Sequence, residues 1–308
     1  CIRDSRSSEG VEGVNFCLAG IDFMIDKEGN IFFIETNSSP GGLYEMEMLY
    51  GRSEPLERFM DFLQANIREP IVCIVDSKKG YELDKQEIEW KMKRMSERME
   101  THFCFIEDQV SKEFFVDHEG KKVIPNVLIT PFLRLKQSVD ECVVVNPFEV
   151  SMISIDKFLS TLIVERMTNV KVPKTFLVRR KSEVKFFLNR EMEVFKNGFV
   201  IKPRFGLFGR GVRIFENVTQ DFEMEKGEYV LQQRIVIEKQ DENFWDVRVF
   251  VVDGKFCGGF KRVSSKPVVN VHAGGKVMKL EEELAEKLRK PSEEVVKAIE
   301  KFAKMLER

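Results

Sequence analysis

Two carboxylates and a carboxamide, Asp22, Glu35 and Asn37, lie in a stretch whose pattern reads as a β-hairpin. Asp22 to Asp26 alternates polar with apolar residues, Lys27-Glu28-Gly29-Asn30 supplies turn residues, and Ile31 to Asn37 alternates again. With the turn centred on Glu28-Gly29, residue i faces residue 57 − i. That register sets Asp22 opposite Glu35, with side chains about 5 Å apart on one face. Asn37 follows on the same face. Carboxylates so placed repel each other unless a positive charge lies between them. An all-oxygen set suits a hard cation that keeps positions for water and phosphate oxygens, which points to Mg²⁺, with Mn²⁺ as a substitute. An exposed acidic edge that holds nothing is the competing reading.

A second chemistry lies in GFVIKPRFGLFGRGVRIFE, where a strand ending in Lys202-Pro203 runs into Gly206, Gly209 and Gly211 before another strand, Val212 to Phe215. Glycine turns let backbone N–H groups approach phosphate oxygens, and a lysine at the strand end adds charge. No Gly-Lys-Ser/Thr follows and the loop joins two strands, so this is no Walker A loop. A plain glycine-rich hairpin is the alternative. Farther on, DVRVFVVDGKFCGGFKRV reads as a hairpin turned at Asp253-Gly254 that carries Arg248 and Arg262. Arginines on adjacent strands can converge on one anion, or merely solvate a face. His102, His118 and His272 show no metal-ligand spacing, and only His272 is retained, as a substrate contact.

The elements that must position these groups fill 308 residues, enough for two or three domains. Acidic and basic residues nearly cancel, 51 against 49, so no global field argues for nucleic acid or an anionic membrane. Six cysteines without a CxxC pair argue against a disulfide framework or a zinc site and suit a reducing, cytoplasmic setting. No apolar run reaches the length of a membrane span, and the polar start is no signal peptide. In chain order, residues 1–13 read as a loose arm. The hairpin follows, SSPGG breaks it, and Leu43 to Ile67 is helical, with Pro55 able to start a helix. Residues 71–150 alternate strand, helix and strand, which implies a parallel sheet with substrate contacts at Asp76-Ser77-Lys78-Lys79. A helix over 154–168, an extended entry at Pro173, a helix near 182–189, a strand YVLQQRIV and a final amphipathic helix from Ser292 complete the pattern.

Taken together, these residues resemble the ATP-grasp superfamily, and most closely its glutathione-synthetase-like and RimK-like ligases. The matching motifs are Lys157 in an Asp-Lys pair, the phosphate lid Lys202 to Val212, and the hinge strand Val230 to Ile235. A DxRxxVVxG strand from Asp246 to Gly254, Asn270 before a glycine pair, and the D-x12-E-x-N hairpin of Asp22, Glu35 and Asn37 complete the set. In the family that hairpin comes last, after a helix; here it comes first. Circular permutation is the simplest account, with a tandem or segment-exchanged arrangement as the alternatives. Some D-alanine ligases carry an arginine two residues before the metal aspartate. Gly20 stands there in this chain, which favours the RimK-like side.

The resemblance implies an α/β (α+β) ATP-grasp fold, circularly permuted, with a small Rossmann-like pre-ATP-grasp domain. Residues 1–69 would form the C-terminal part of the ATP-grasp domain, 70–150 the substrate domain, 151–225 the small subdomain with the lid, and 226–308 the core subdomain, continuing in space into 11–69. It implies an ATP- and Mg²⁺-dependent ligase joining a carboxylate to an amine through an acyl phosphate, with small-molecule or peptide substrates. Nucleic acid and membrane are not expected as partners, and a homo-oligomer is left open. Asp22, Glu35 and Asn37 would hold the metal. Lys157, Lys202, Gly206, Gly209, Gly211 and Asn270 would face the nucleotide, and Gln232, Gln233, Arg234 and Ile235 would carry the adenine. Glu238 is the choice for the ribose-binding acid, in competition with Asp241 and Glu242. Arg248 and Arg262 would stabilise the charge that develops in the reaction. An ATP-grasp kinase acting on a hydroxyl, a non-catalytic nucleotide-binding regulator and a plain interaction protein are the other readings.

Overall fold

The computed structural model describes residues 16–108, 114–130, 142–206, 209–269 and 275–306. The hairpin forms as β1 (Leu18–Ile25) and β2 (Ile31–Asn37), its turn closed by the Asp26 carboxylate, which accepts from the N–H groups of Glu28 and Asn30. The turn pairs Ile25 with Ile31, one step from the expected alignment, and an irregularity between Asp22 and Phe23 restores it, so Asp22 does face Glu35. Such a bulge inserts one residue and thereby resets which side chains share a face. Phe23 and Phe33 are wholly buried. Each contributes about 1.5–3 kcal/mol of burial, and a further slip of one residue would turn them to the opposite face.

Gly42, in the left-handed region at φ 104°, opens α1 (Leu43–Tyr50), and Gly51 at φ 78° ends it. Pro55 lies in the first turn of α2 (Glu54–Asn66), so the helical stretch from 43 is two helices. Next come β3 (Ile71–Asp76), α3 (Lys78–Ser96), β4 (Glu100–Phe105), the short pair β5 (Phe115–Val116) and β6 (Lys122–Val123), β7 (Val127–Ile129) and β8 (Val143–Val145). Four of these strands form a parallel sheet in the order β4-β3-β7-β8.

The single helix expected over 154–168 is instead α4 (Phe148–Ile155) and α5 (Lys157–Met167). Asp156 divides them because its carboxylate turns to accept from the N–H groups of Phe158 and Leu159, capping the second helix. The following elements are β9 (Thr175–Val178), α6 (Lys181–Arg190), α7 (Met192–Phe195), β10 (Phe199–Pro203), β11 (Arg213–Phe215) and β12 (Tyr229–Gln233). Their strands make an antiparallel sheet in the order β11-β10-β12-β9. Phe199, Ile201, Phe215 and Leu231 point into a core with Val184, Leu188 and Phe195. By strand alternation Val200, Lys202, Ile214 and Gln232 point the other way.

The last elements, β13 (Phe244–Val252), β14 (Lys255–Ser264), β15 (Lys276–Lys279) and α8 (Glu282–Leu306), join the beginning of the chain. β1 pairs with β13, which gives a five-stranded sheet in the order β15-β14-β13-β1-β2. Ile21, Phe23, Val247 and Val249 pack on one side against residues of α4, α5 and α8. Leu18, Phe250, Val252 and Phe260 pack on the other with α1, α2 and the parallel sheet. Helix α8 starts at Glu282 rather than Ser292 and runs through Pro291, because the apolar stripe of Leu288, Val295 and Ile299 continues across it. The Phe16 N–H donates to Glu300 Oε1 at 2.7 Å, so the start of the hairpin abuts this helix.

Candidate active site

Asp22, Glu35, Arg248 and Arg262 meet because the central sheet aligns them. Glu35, Asp22 and Arg248 are register partners across β2, β1 and β13, while Asp246 of β13 pairs with Arg262 of β14. Residues two apart on a strand share a face, so Asn37 and Asp246 lie on the same surface. Arg248 forks Asp22, Nε to Oδ1 and Nη2 to Oδ2, both at 2.8 Å. Arg262 reaches the same Oδ2 at 3.0 Å and forks Asp246 at 2.6 and 2.7 Å. From α5, Lys157 Nζ lies 3.0 Å from Glu35 Oε2 and donates to the Gly206 carbonyl at 2.7 Å.

The electrostatics follow from burial. Burial raises the Asp22 carboxyl, and Arg248 and Arg262 outweigh it, holding the group below the ordinary carboxylate range. Asp246 is pushed up to about 6, by burial first, against the pull of Arg262. Lys202 is pushed down to about 8: burial and Lys157 disfavour its charge, and Glu35 and Asp22 favour it. The charge between Asp22 and Glu35 that the hairpin demands is therefore present in the protein itself, as Arg248, Arg262 and Lys157.

These groups line a cavity of about 1220 Å³. It is lined by Asp22, Glu35, Asn37, Lys157, Lys202, Gly206, Gly209, Gly211, Gln232, Gln233, Arg234, Ile235, Arg248 and Arg262, every one of them singled out from the sequence. Two of the expected residues fall elsewhere. Asn270, and His272 with it, lies outside the described residues. Glu238 does not line the cavity. Its carbonyl accepts from the Trp245 indole at 2.7 Å, and neither Asp241 nor Glu242 lines the cavity either. The acid that does line the cavity next to the hinge is Glu216, 2.9 Å from Arg234.

The hinge strand also ends sooner than expected. β12 stops at Gln233, whose N–H donates to the Lys174 carbonyl at 2.8 Å, and Arg234 and Ile235 lie beyond it. Val200, Ile214, Ile235, Ile237, Met24, Ile34 and Phe244 give the cavity apolar walls. The glycines of the loop differ in what they need. Gly209 (φ 68°) and Gly211 (φ 74°) occupy the left-handed region, and a Cβ on Gly211 would lie 2.9 Å from Pro203 Cγ. Gly206 has ordinary φ and room for a Cβ, and its contribution is the carbonyl that Lys157 engages. Asp76, Ser77 and Lys79 of the segment expected to make substrate contacts, with Gly80, line the cavity where β3 passes into α3; Lys78 does not.

A divalent cation is the group that the fold implies. The donor chemistry fits it: two carboxylates and an amide, with Asn37 Nδ2 buried and without a partner, an orphan amide end whose O and N assignments are interchangeable. Among the described residues no set of three His, Cys, Asp or Glu is grouped for a metal, so any cation here needs Asn37 and outside oxygens.

Residues 154–303 match the family described as the RimK-like ATP-grasp domain. Among curated relatives are two named coenzyme gamma-F420-2:alpha-L-glutamate ligase. The Methanococcus maripaludis protein is 31% identical over 139 residues, 43% of this chain and 47% of its own length. The Methanocaldococcus jannaschii protein is 30% identical over 170 residues, 53% of this chain and 58% of its own. The chain thus spans about half the length of the curated relatives it matches. Among solved structures, a candidate gamma-glutamylcysteine synthetase from Methylobacillus flagellatus KT superposes with a TM-score of 0.67 over 96% of this chain and 90% of that one, at 11% identity. D-alanyl-alanine synthetase A from Vibrio cholerae does so with a TM-score of 0.50 over 76% and 82%, at 10% identity. At such identities the likeness is one of fold. It extends over 96% of the chain in the first of these structures.

The sequence reading missed Asp246 as the partner of Arg262 and Asp156 as the junction of two helices. Each had a signal, the Asp-x-Arg spacing in one case and the Asp immediately before Lys157 in the other.

Proposed function

We propose that the protein is an ATP-dependent carboxylate–amine ligase that works through an acyl phosphate. The observation that carries the reading is the cavity, which gathers four cations, Lys157, Lys202, Arg248 and Arg262, with Asp22, Glu35 and Asn37 and with apolar and glycine residues in one lining. Lys157 and Lys202 neutralise the nucleotide phosphates, the residues 232–235 hold the base, and Arg248 and Arg262 face the transferred phosphoryl group. Glu35, Asn37 and Asp22 would hold Mg²⁺, which when bound would supply positive charge against the phosphates. The carboxylate substrate attacks the γ-phosphorus, ADP leaves, and the amine then displaces phosphate from the acyl phosphate to form the amide. Low water access protects that acyl phosphate, and the buried walls of the cavity supply it. The relatives' names point to an amino acid such as glutamate as the amine and to a small molecule as the carboxylate.

The domain division at 69, 150 and 225 is part of this proposal, as is the permuted order of the chain. The order is supported by the pairing of β1 with β13 and by the contact from Phe16 to Glu300. The experiment is ADP release with hydroxylamine as a generic amine and a panel of carboxylates, followed by detection of hydroxamate. Carboxylate-dependent hydroxamate supports the ligase. ADP release that depends on an alcohol, with no hydroxamate from any carboxylate, would replace it with a kinase.

A further inference from the structure

We propose that Asp156 and Arg204 are positioning residues that fix Lys157 against the phosphate end of the cavity; this rests on the nucleotide reading above. A lysine on a flexible four-carbon stem is aimed only as well as its backbone is held. Lys157 is the first residue of α5, and its backbone, its preceding neighbour and its side chain are each tied to the segment that follows β10. Its N–H donates to the Arg204 carbonyl at 3.1 Å, Asp156 bridges to Phe205, and its amine reaches the Gly206 carbonyl. The side chains of the two neighbouring residues lock the same junction. The buried Asp156 carboxylate caps α5 and also accepts from Arg204, Nε at 3.0 Å to each oxygen and Nη2 at 2.5 Å to Oδ2.

Arg204 completes the lock from the other side. Its Nη1 donates to Glu228 Oε2 at 2.9 Å, and its own N–H donates to the Glu228 carbonyl at 3.0 Å. One guanidinium thus fastens the start of α5 to the end of β10 and to the entry of β12, one residue before the cavity wall resumes at Phe205 and Gly206. Neither Asp156 nor Arg204 lines the cavity. They act through Lys157 and the Gly206 carbonyl, not on the nucleotide. A planar fork that serves Asp156 with two nitrogens and Glu228 with the third has no equivalent in lysine.

The test is a double-mutant cycle on binding of Mg²⁺ with a non-hydrolysable ATP analogue, read by titration calorimetry. Asp156→Asn is the informative change, because asparagine caps a helix as well as aspartate but cannot form the charged fork. Asp156→Asn should weaken binding roughly tenfold or more, the scale of a lost charge-assisted hydrogen bond. In a Lys157→Met background the same change should cost almost nothing, since the residue it positions is gone. Arg204→Lys tests the lock from its other partner and should show the same coupling. Equal losses from Asp156→Asn in both backgrounds, or no loss in either, would overturn the proposal while the nucleotide site stands. No binding by the wild type would overturn the nucleotide reading and the proposal together.

Discussion

Replacing Lys202 by methionine should make the protein more stable and unable to bind nucleotide. Lys202 is only 4% exposed, and its ammonium is held at about 8 instead of 10.5, by burial first and Lys157 next. At pH 7 the difference corresponds to roughly 3 kcal/mol of folding stability forfeited to keep the charge. Methionine removes that cost but leaves Glu35 and Asp22 with less positive charge nearby, so a net gain of about 1–2 kcal/mol is expected. The sign with pH follows from proton counts. Between about 8 and 10.5 the unfolded chain binds the proton and the native state does not, so stability rises with pH there. The penalty is full below about 8 and gone above 10.5, and the advantage of the methionine variant should shrink accordingly. Urea unfolding at pH 7 and at pH 9.5, on both proteins, measures this directly. A methionine variant less stable than the wild type at pH 7, or a stability difference that does not narrow at pH 9.5, would refute the reasoning.

Other consequences can be measured on the same protein. Gly211→Ala places a Cβ 2.9 Å from Pro203 Cγ at φ 74°, so it should cost about 1–2 kcal/mol by denaturant unfolding, whereas Gly206→Ala, with ordinary φ and only ordinary van der Waals contacts from 3.6 Å outward, should cost less than 1. Asn146 donates to the carbonyls of Leu18 and Ser38 and accepts from the N–H of Cys17 at 2.8 Å, stitching the end of β8 to both strands of the hairpin. Asn146→Ala leaves several buried backbone groups unpaired and should cost about 3 kcal/mol or more, seen as a fall in Tm. The Asp22 carboxyl, held low by its arginines, supplies stability above the unfolded carboxylate pKa of about 4. That share should disappear as pH falls through the lower native value, visible as steepening acid unfolding that Arg248→Met blunts.

Much of the site was legible because strands obey a period of two. Asp22 opposite Glu35 and Arg248 near Arg262 follow from alternation alone, and the cavity gathers them as expected. The facing of Asp22 and Glu35 nonetheless survived through a bulge that no pattern announced. The turn sits one residue from where Glu28-Gly29 would place it, and the irregularity at Asp22/Phe23 compensates. Helix ends were harder, because the deciding interactions are distant in sequence. Asp156 breaks a helical run by accepting from its own next turn and from Arg204, 48 residues away. The final helix is read from Ser292, yet packing of Leu288 and Val295 on the central sheet carries α8 straight through Pro291. The choice of Glu238 failed for a similar reason. The segment turns through Asp241 and Glu242 at positive φ, and the Trp245 indole takes the Glu238 carbonyl. What spacing could not reveal is which charges pair: that Asp22 is answered by two arginines depends on three strands meeting, β1 from early in the sequence and β13 and β14 from late in it.

The central claim is that the hairpin from the beginning of the chain and the strands from its end form one Mg²⁺·nucleotide site. Glu35 tests it better than Asp22, since Glu35 is half-buried and Asp22 anchors two arginines in the core. The measurement is thermal unfolding with ATP, with and without Mg²⁺, for the wild type and Glu35→Gln. Ligand at a hundred times its Kd stabilises the native state by about 2.7 kcal/mol, a rise of roughly 5 °C or more in Tm. A Mg²⁺-dependent rise in the wild type that Glu35→Gln abolishes, with an unchanged Tm in the absence of ligand, is the expected result. An equal rise in both proteins, or none in the wild type, would contradict the claim.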